Sequence, residues 1–165
     1  MAQDTVDVIN RRDGTKMLHP TQNLPLLGSI HWPALSQKLE LQGVTLGLDT
    51  EVTAHLGRNY GPEALSILSL VANDVSLANR LVNDLPFIRA EIIYACRHEM
   101  AMTPHDILAR RTSIQLQDYQ RGLGIVDEVT ALMAQELHWS HEQQQAMIEA
   151  YRLSIKQHIA AEVGE

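Results

Sequence analysis

Phe87-Ile88-Arg89-Ala90-Glu91-Ile92-Ile93-Tyr94-Ala95-Cys96-Arg97-His98-Glu99-Met100 is the stretch on which the fold turns. Phe87, Ile88, Ile92, Ile93, Ala95 and Cys96 put apolar groups on most sides of a helix, and a helix that is apolar all round sits at the centre of a fold. The break at Asn83-Asp84-Leu85-Pro86 marks its upstream limit. Downstream, Thr103-Pro104-His105-Asp106 opens another helix. Threonine caps it, proline takes the first turn where its missing N–H is not needed, and an acid follows three residues after the cap. Ile107 and Leu108 continue it.

Moving outward, helical spacing recurs on both sides. Tyr119, Leu123, Val126, Val129, Met133 and Leu137 predict one helix, with a bend where Gly122 and Gly124 weaken it. Ser140-His141-Glu142-Gln143 is a capping box that opens a last helix carrying the stripe Ile148, Tyr151, Ile155 and Ile159. Toward the N-terminus, Asp49 or Thr50 caps a helix ending at Gly57. Pro62 starts another with Leu65, Leu68, Val71 and Ala72, and Ser76 begins a short segment with Leu77, Leu81 and Val82. No strand-type alternation of useful length is present. The expectation is an all-α fold: a helical, bundle-like domain over residues 48–165, preceded by a mostly irregular N-terminal extension over 1–47. Within that extension, residues 1–10 read as a turn or two of helix stopping at Gly14. Residues 33–41 read as a short helix with Leu35, Leu39 and Trp32 on one side. Pro20, Pro25, Gly28, Pro33, Gly43 and Gly47 interrupt the rest.

Composition narrows the function classes. The chain has 165 residues, 20 acidic against 13 basic, for a net charge of -7. That balance disfavours a protein that binds nucleic acid by neutralising phosphates, including a helix-turn-helix reader near residues 100–112. The single cysteine, Cys96, cannot form an internal disulfide, which fits a reducing compartment. The longest nearly apolar run, residues 64–72, is far shorter than the ~20 residues that span a bilayer.

The residues offer no complete active site. No glycine-rich phosphate loop and no Gly-x-Ser-x-Gly elbow occurs. His98-Glu99 and His105-Asp106 supply two nitrogens and two oxygens, but they flank Pro104 at the ends of two helices rather than sharing one helical face. The expectation is therefore helix-end capping and ion pairing, not a metal site. Arg97, Arg110 and Arg111 form a basic cluster suited either to a carboxylate or phosphate ligand or to internal pairing with Glu91, Glu99, Asp106 or Asp118. Taken alone, the residues describe a helical module: a stand-alone interaction adaptor, or a piece of a larger enzyme.

A longer pattern favours the second. Residues 85–112 read "LP-aromatic-I…AE…YA-x-RHE-x-A-x-T-x-x-D-x-LARRT". His55-Leu56-Gly57-Arg58-Asn59-Tyr60-Gly61 reads "HL-x-x-x-YG", and Met133-Ala134-Gln135-Glu136-Leu137-His138-Trp139 reads "MA-x-EL-x-W". Thr21 with Leu24 to Gly28 adds a "T…LPL-x-G" stretch. Together these resemble the C-terminal helical domain of FAD-dependent glycerol-3-phosphate dehydrogenases and alpha-glycerophosphate oxidases, over essentially the whole chain. The resemblance implies that residues 1–47 hold the tail of a flavin-domain helix plus a connecting segment, and that a flavin- and substrate-binding portion belongs N-terminal to this region. It implies an excised, non-catalytic C-terminal piece with no cofactor of its own, from a parent that uses FAD. The parent would be cytoplasmic or peripheral on the inner face of the cytoplasmic membrane. Arg97, His98, Glu99, Asp106, Arg110, Arg111 and Thr112 would form a charge-paired network at the face toward the flavin domain, and the isolated piece could self-associate through that face.

Overall fold

The computed structural model describes residues 2–15, 23–25 and 32–164. Met1, Lys16, Pro20, Thr21 and Leu26 to Gly28, which figured in the reading of the N-terminal stretch, lie outside the described residues, as does the Trp32 side chain. Two compact units emerge, residues 1–31 and 32–165. The first contains α1, Ala2–Arg12, whose Val6, Val8 and Ile9 are exposed.

The second unit is built from helices among its described residues. These are α2 (Trp32–Thr45), α3 (Thr50–Tyr60), α4 (Ala64–Asn73), α5 (Arg89–His98), α6 (Ile114–Gln117), α7 (Val126–Leu137) and α8 (His141–Val163). The two short helices read within the N-terminal extension, at residues 1–10 and 33–41, are present as α1 and α2, each somewhat longer than expected. The compact unit starts at Trp32, not at residue 48. The reason is packing: Leu39 of α2 is 3% exposed, in one core with Val52 and Leu56 of α3. Gly43 reads in sequence as a breaker, yet it sits inside α2. A Cβ there would lie 2.4 Å from Thr53 Oγ1, so glycine lets α2 and α3 approach closely.

Helix α5 is the central element, packed against α4, α7 and the turns on either side. Ala90 and Tyr94 face the core shared with α3 and α4, while Ile92 and Ala95 face a second core with α7 and α8. One helix therefore joins two apolar clusters, which is why its sequence is apolar on most sides. Burying each large aliphatic chain in these cores contributes about 1.5–3 kcal/mol. Before α5 the chain does not form the short segment expected after Ser76. It makes a 3-10 turn at Val75–Ala78 and then an isolated antiparallel bridge between Arg80 and Ile88.

Caps set the boundaries. The Asp49 carboxylate accepts from the Val52 amide at 2.8 Å and starts α3. Ser140 and Gln143 exchange side-chain bonds at 2.8 and 3.2 Å and start α8. The helix expected from Tyr119 begins only at Val126, and Tyr119 is fully exposed. Gly122 adopts φ +80° there, and a Cβ would meet Tyr151 OH at 3.1 Å and Leu108 Cδ1 at 3.2 Å. At Pro104 a helical turn does begin, but it widens over Asp106–Arg111 into a π-helix. Thr112 closes it, with its amide and hydroxyl both donating to the Ile107 carbonyl at 2.9 and 2.8 Å.

Candidate functional site

A glutamate inside the apolar face of α5 needs an account, because an unpaired buried carboxylate is costly. Glu91 is 1% exposed. Its Oε1 accepts from the Ile88 amide at 2.8 Å, satisfying one open donor at the start of α5. Its Oε2 accepts from Tyr60 OH at 2.9 Å and from His55 Nε2 at 2.9 Å. Asn59 Nδ2 lies 3.3 Å from His55 Nδ1, so a neutral ring protonated on Nε2 satisfies both contacts. The His55 ring stands edge-on to Phe87 at 4.6 Å, and Tyr60 edge-on to Tyr94 at 5.5 Å. Burial, reinforced by the Glu91 charge, pushes the Tyr60 phenol up, so it stays a donor. This knot locks α3 to the start of α5.

The seven residues expected to form one network separate into local sets. Arg97 pairs in fork geometry with Glu136 of α7, at 2.6 and 2.7 Å. Arg89 pairs with Glu128 through a single Nε contact. Both pairs span 39 residues, so α5 and α7 run parallel in one register. His98 stacks on Tyr94 at 4.8 Å. Arg110 pairs with Asp106, one turn earlier. Thr112 serves the π-helix, as described.

Glu99, Asp106 and Arg111 meet around the turn that follows α5. Arg111 Nη2 donates to the Glu99 carbonyl at 2.7 Å, and its Nε lies 3.5 Å from the Glu99 carboxylate. Burial pushes the Glu99 carboxyl up, against the pull of Arg111. Asp106 Oδ2 accepts from the amides of Met102 and Thr103 at 3.1 and 3.0 Å and from Thr103 Oγ1 at 2.9 Å. Burial pushes the Asp106 carboxyl up, but these bonds and Arg110 outweigh it and hold it low. Of the four acids named as candidate partners, Glu99 lies against Arg111 and Asp106 against Arg110. Glu91 instead takes His55 and Tyr60, a set that the sequence reading did not assemble. Its signal was present, since Glu91, His55 and Tyr60 all lie inside the quoted patterns.

Two features bear on chemistry in these sets. Burial pushes the Cys96 thiol up to about 11, so it is a poor nucleophile at neutral pH. Among the described residues no three His, Cys, Asp or Glu groups converge on a metal position. One cleft of about 450 Å³ lies between α2 and α3, with Leu39, Val44, Ala54 and Gly57 in its walls. Another of about 410 Å³ runs beside Arg89, Ile93 and Arg97. Neither opens on a glycine-rich turn between a strand and a helix, the device that cradles a dinucleotide pyrophosphate.

Comparison with known proteins places this geometry. Residues 19–144 match the family model of the C-terminal domain of alpha-glycerophosphate oxidase. A probable mitochondrial glycerol-3-phosphate dehydrogenase of Dictyostelium discoideum is 33% identical over 123 residues, 74% of this chain and 19% of that protein. The mitochondrial glycerol-3-phosphate dehydrogenase of Mus musculus is 31% identical over 158 residues, 90% of this chain and 21% of that protein. The glycerol-3-phosphate dehydrogenase of Synechocystis is 30% identical over 138 residues, 84% of this chain and 25% of that protein. No solved structure matches. The chain thus spans a fifth to a quarter of the length of these relatives, and it belongs to the family of the C-terminal domain of alpha-glycerophosphate oxidase.

Proposed function

We propose that this chain serves as the C-terminal helical domain of an FAD-dependent sn-glycerol-3-phosphate dehydrogenase. The parent oxidises sn-glycerol 3-phosphate to dihydroxyacetone phosphate. FAD, held by a flavin-binding portion of the same parent chain, takes up the hydride, and quinone or oxygen is the final electron acceptor. The match over residues 19–144 carries this reading. The chain's own part is structural: it holds a fixed shape against the flavin-binding portion and contributes no reacting group.

The geometry supports that division of labour. The Glu91 knot, the α5–α7 ion pairs and the Arg111 bond to the Glu99 carbonyl are made within the unit. They fix orientation and leave no poised acid, base or nucleophile. The reading extends to location on the cytoplasmic side, with the parent peripheral on the membrane. Among the described residues no helix is long and apolar enough to cross a bilayer.

The test is Arg111→Ala in the parent enzyme. It removes the anchor of the Glu99 carbonyl, so flavin content and sn-glycerol 3-phosphate oxidation should both fall, with Arg111→Lys intermediate. Unchanged folding, flavin content and activity would overturn the bracing role.

A further inference from the structure

Helix α5 ends at His98, and Met100 then takes φ +55° while the Ala101 amide reaches back to the Ala95 carbonyl at 3.1 Å. This is the helix-terminating position where glycine is favoured, because a Cβ strains it. Of the four non-glycine residues with positive φ among the described residues, Met100 is the apolar one; the others are Ser113, Arg121 and His138. Its side chain is 84% exposed. Met102 is 55% exposed, while Ala101 between them is wholly buried. The chain therefore turns two methionines outward around one buried alanine.

The turn is pinned from its own surroundings. Arg111 holds the Glu99 carbonyl, and Asp106 holds the Met102 and Thr103 amides. A strained backbone fixed this way is a feature that the fold enforces. Arg111 and Asp106 of the long pattern thus hold a rigid turn that presents two methionines. Methionine is unbranched and polarisable, and it conforms to an irregular apolar partner. The flanking charges are already paired, Arg110 with Asp106 and Arg111 with Glu99, so the surroundings resemble the polar rim of an interface around an apolar centre.

We propose that Met100 and Met102 are the docking knob by which this domain seats in an apolar socket on the flavin-binding portion of its parent chain. The proposal rests on the function proposed above. The occupant follows from two facts. The relatives are four to five times longer than the region they share with this chain, so a large body of protein accompanies the domain. The net charge of -7 opposes both an anionic lipid surface and a second copy of the chain.

Methionine oxidation by dilute hydrogen peroxide, read residue by residue by mass spectrometry, tests it. In the isolated chain Met100 and Met102 should oxidise well ahead of Met133, which is wholly buried. In the parent enzyme Met100 should be protected at least tenfold. Equal rates in chain and parent would overturn the docking role. So would protection that appears only on adding vesicles of phosphatidylglycerol, or protection of the isolated chain that grows with its concentration. As a second readout, Met100→Gln with Met102→Gln should leave the isolated chain folded and make the parent release its C-terminal domain faster under limited proteolysis; an unchanged rate would also overturn it. A parent that binds no flavin and does not oxidise sn-glycerol 3-phosphate refutes the function. A parent that turns over with Met100 fully oxidisable refutes the knob alone.

Discussion

His55 Nε2 on α3 lies 2.9 Å from the Glu91 carboxylate on α5, across 36 residues of sequence, with the two side chains 5% and 0% exposed. With Tyr60 and the Ile88 amide on the same carboxylate, the pair closes a buried polar knot between an apolar helix and its neighbour. Such a knot specifies one docking geometry only while every member is paired.

Removing one side of it should therefore be expensive. His55→Ala leaves the buried carboxylate short of a donor and is expected to destabilise the chain by about 1.5–3 kcal/mol. Tyr60→Phe removes one donor of three and should cost about 1.5–3 kcal/mol. Urea unfolding followed by circular dichroism measures both. A loss below 1 kcal/mol for His55→Ala would show that the knot is not closed as described.

Stability should also respond to pH at both ends. Burial pushes Tyr60 up, and burial pushes Tyr151 up to about 12. The unfolded chain ionises its phenols near ~10, so stability present below that pH is lost as the pH rises through ~10 to 12. Tyr151→Phe should flatten this decline. On the acid side, hydrogen bonds from the Val52 amide and Arg80 hold the Asp49 carboxyl low. Asp106 is also held low, by Thr103, the Met102 amide and Arg110 against its burial. Their contribution is present above ~4 and fades as the pH falls below it. Thermal unfolding from acid to alkaline buffers checks both arms; a midpoint that does not move above pH ~10 contradicts the tyrosine placement.

Helix α2 belongs to the compact unit through a close contact. Gly43→Ala sets a Cβ into Thr53 Oγ1 and should cost about 1–3 kcal/mol. Thr53→Ala in the same chain removes the clashing atoms and should restore much of the loss. Full additivity of the two changes in thermal unfolding would mean that the helices do not touch there.

Met100→Gly should do the opposite of most substitutions. Glycine relieves the left-handed strain and gives up a side chain that packs on nothing here, so the isolated chain should gain up to about 1 kcal/mol. Differential scanning calorimetry would read a higher midpoint; a lower one would mean that Met100 is packed within the unit.

Much of this architecture was legible in the residues. An all-round apolar α5, the reciprocal caps at Thr103/Asp106 and Ser140/Gln143, and the stripe of Ile148, Tyr151 and Ile155 follow from local rules and stand as expected, while Ile159, the last member of that stripe, is exposed. What escaped is non-local. Glu136 is 39 residues from Arg97, and Glu91 is 31 and 36 from its two side-chain donors, so no spacing rule pairs them. α2 was legible as a short helix over 33–41, but its run on to Thr45 was not, because Gly43 reads as a break when it is a point of close approach. The π-helix at Asp106–Arg111 has no distinct sequence period, so it read as an ordinary helix.

The most direct measurement is anaerobic addition of sn-glycerol 3-phosphate to the parent enzyme and, separately, to this chain mixed with FAD, watching the visible flavin absorbance. Bleaching in the parent, with no bound flavin in the chain alone, is the result expected of a structural C-terminal domain. Flavin bound and bleached by these 165 residues alone, or a parent whose flavin ignores the substrate, would contradict it.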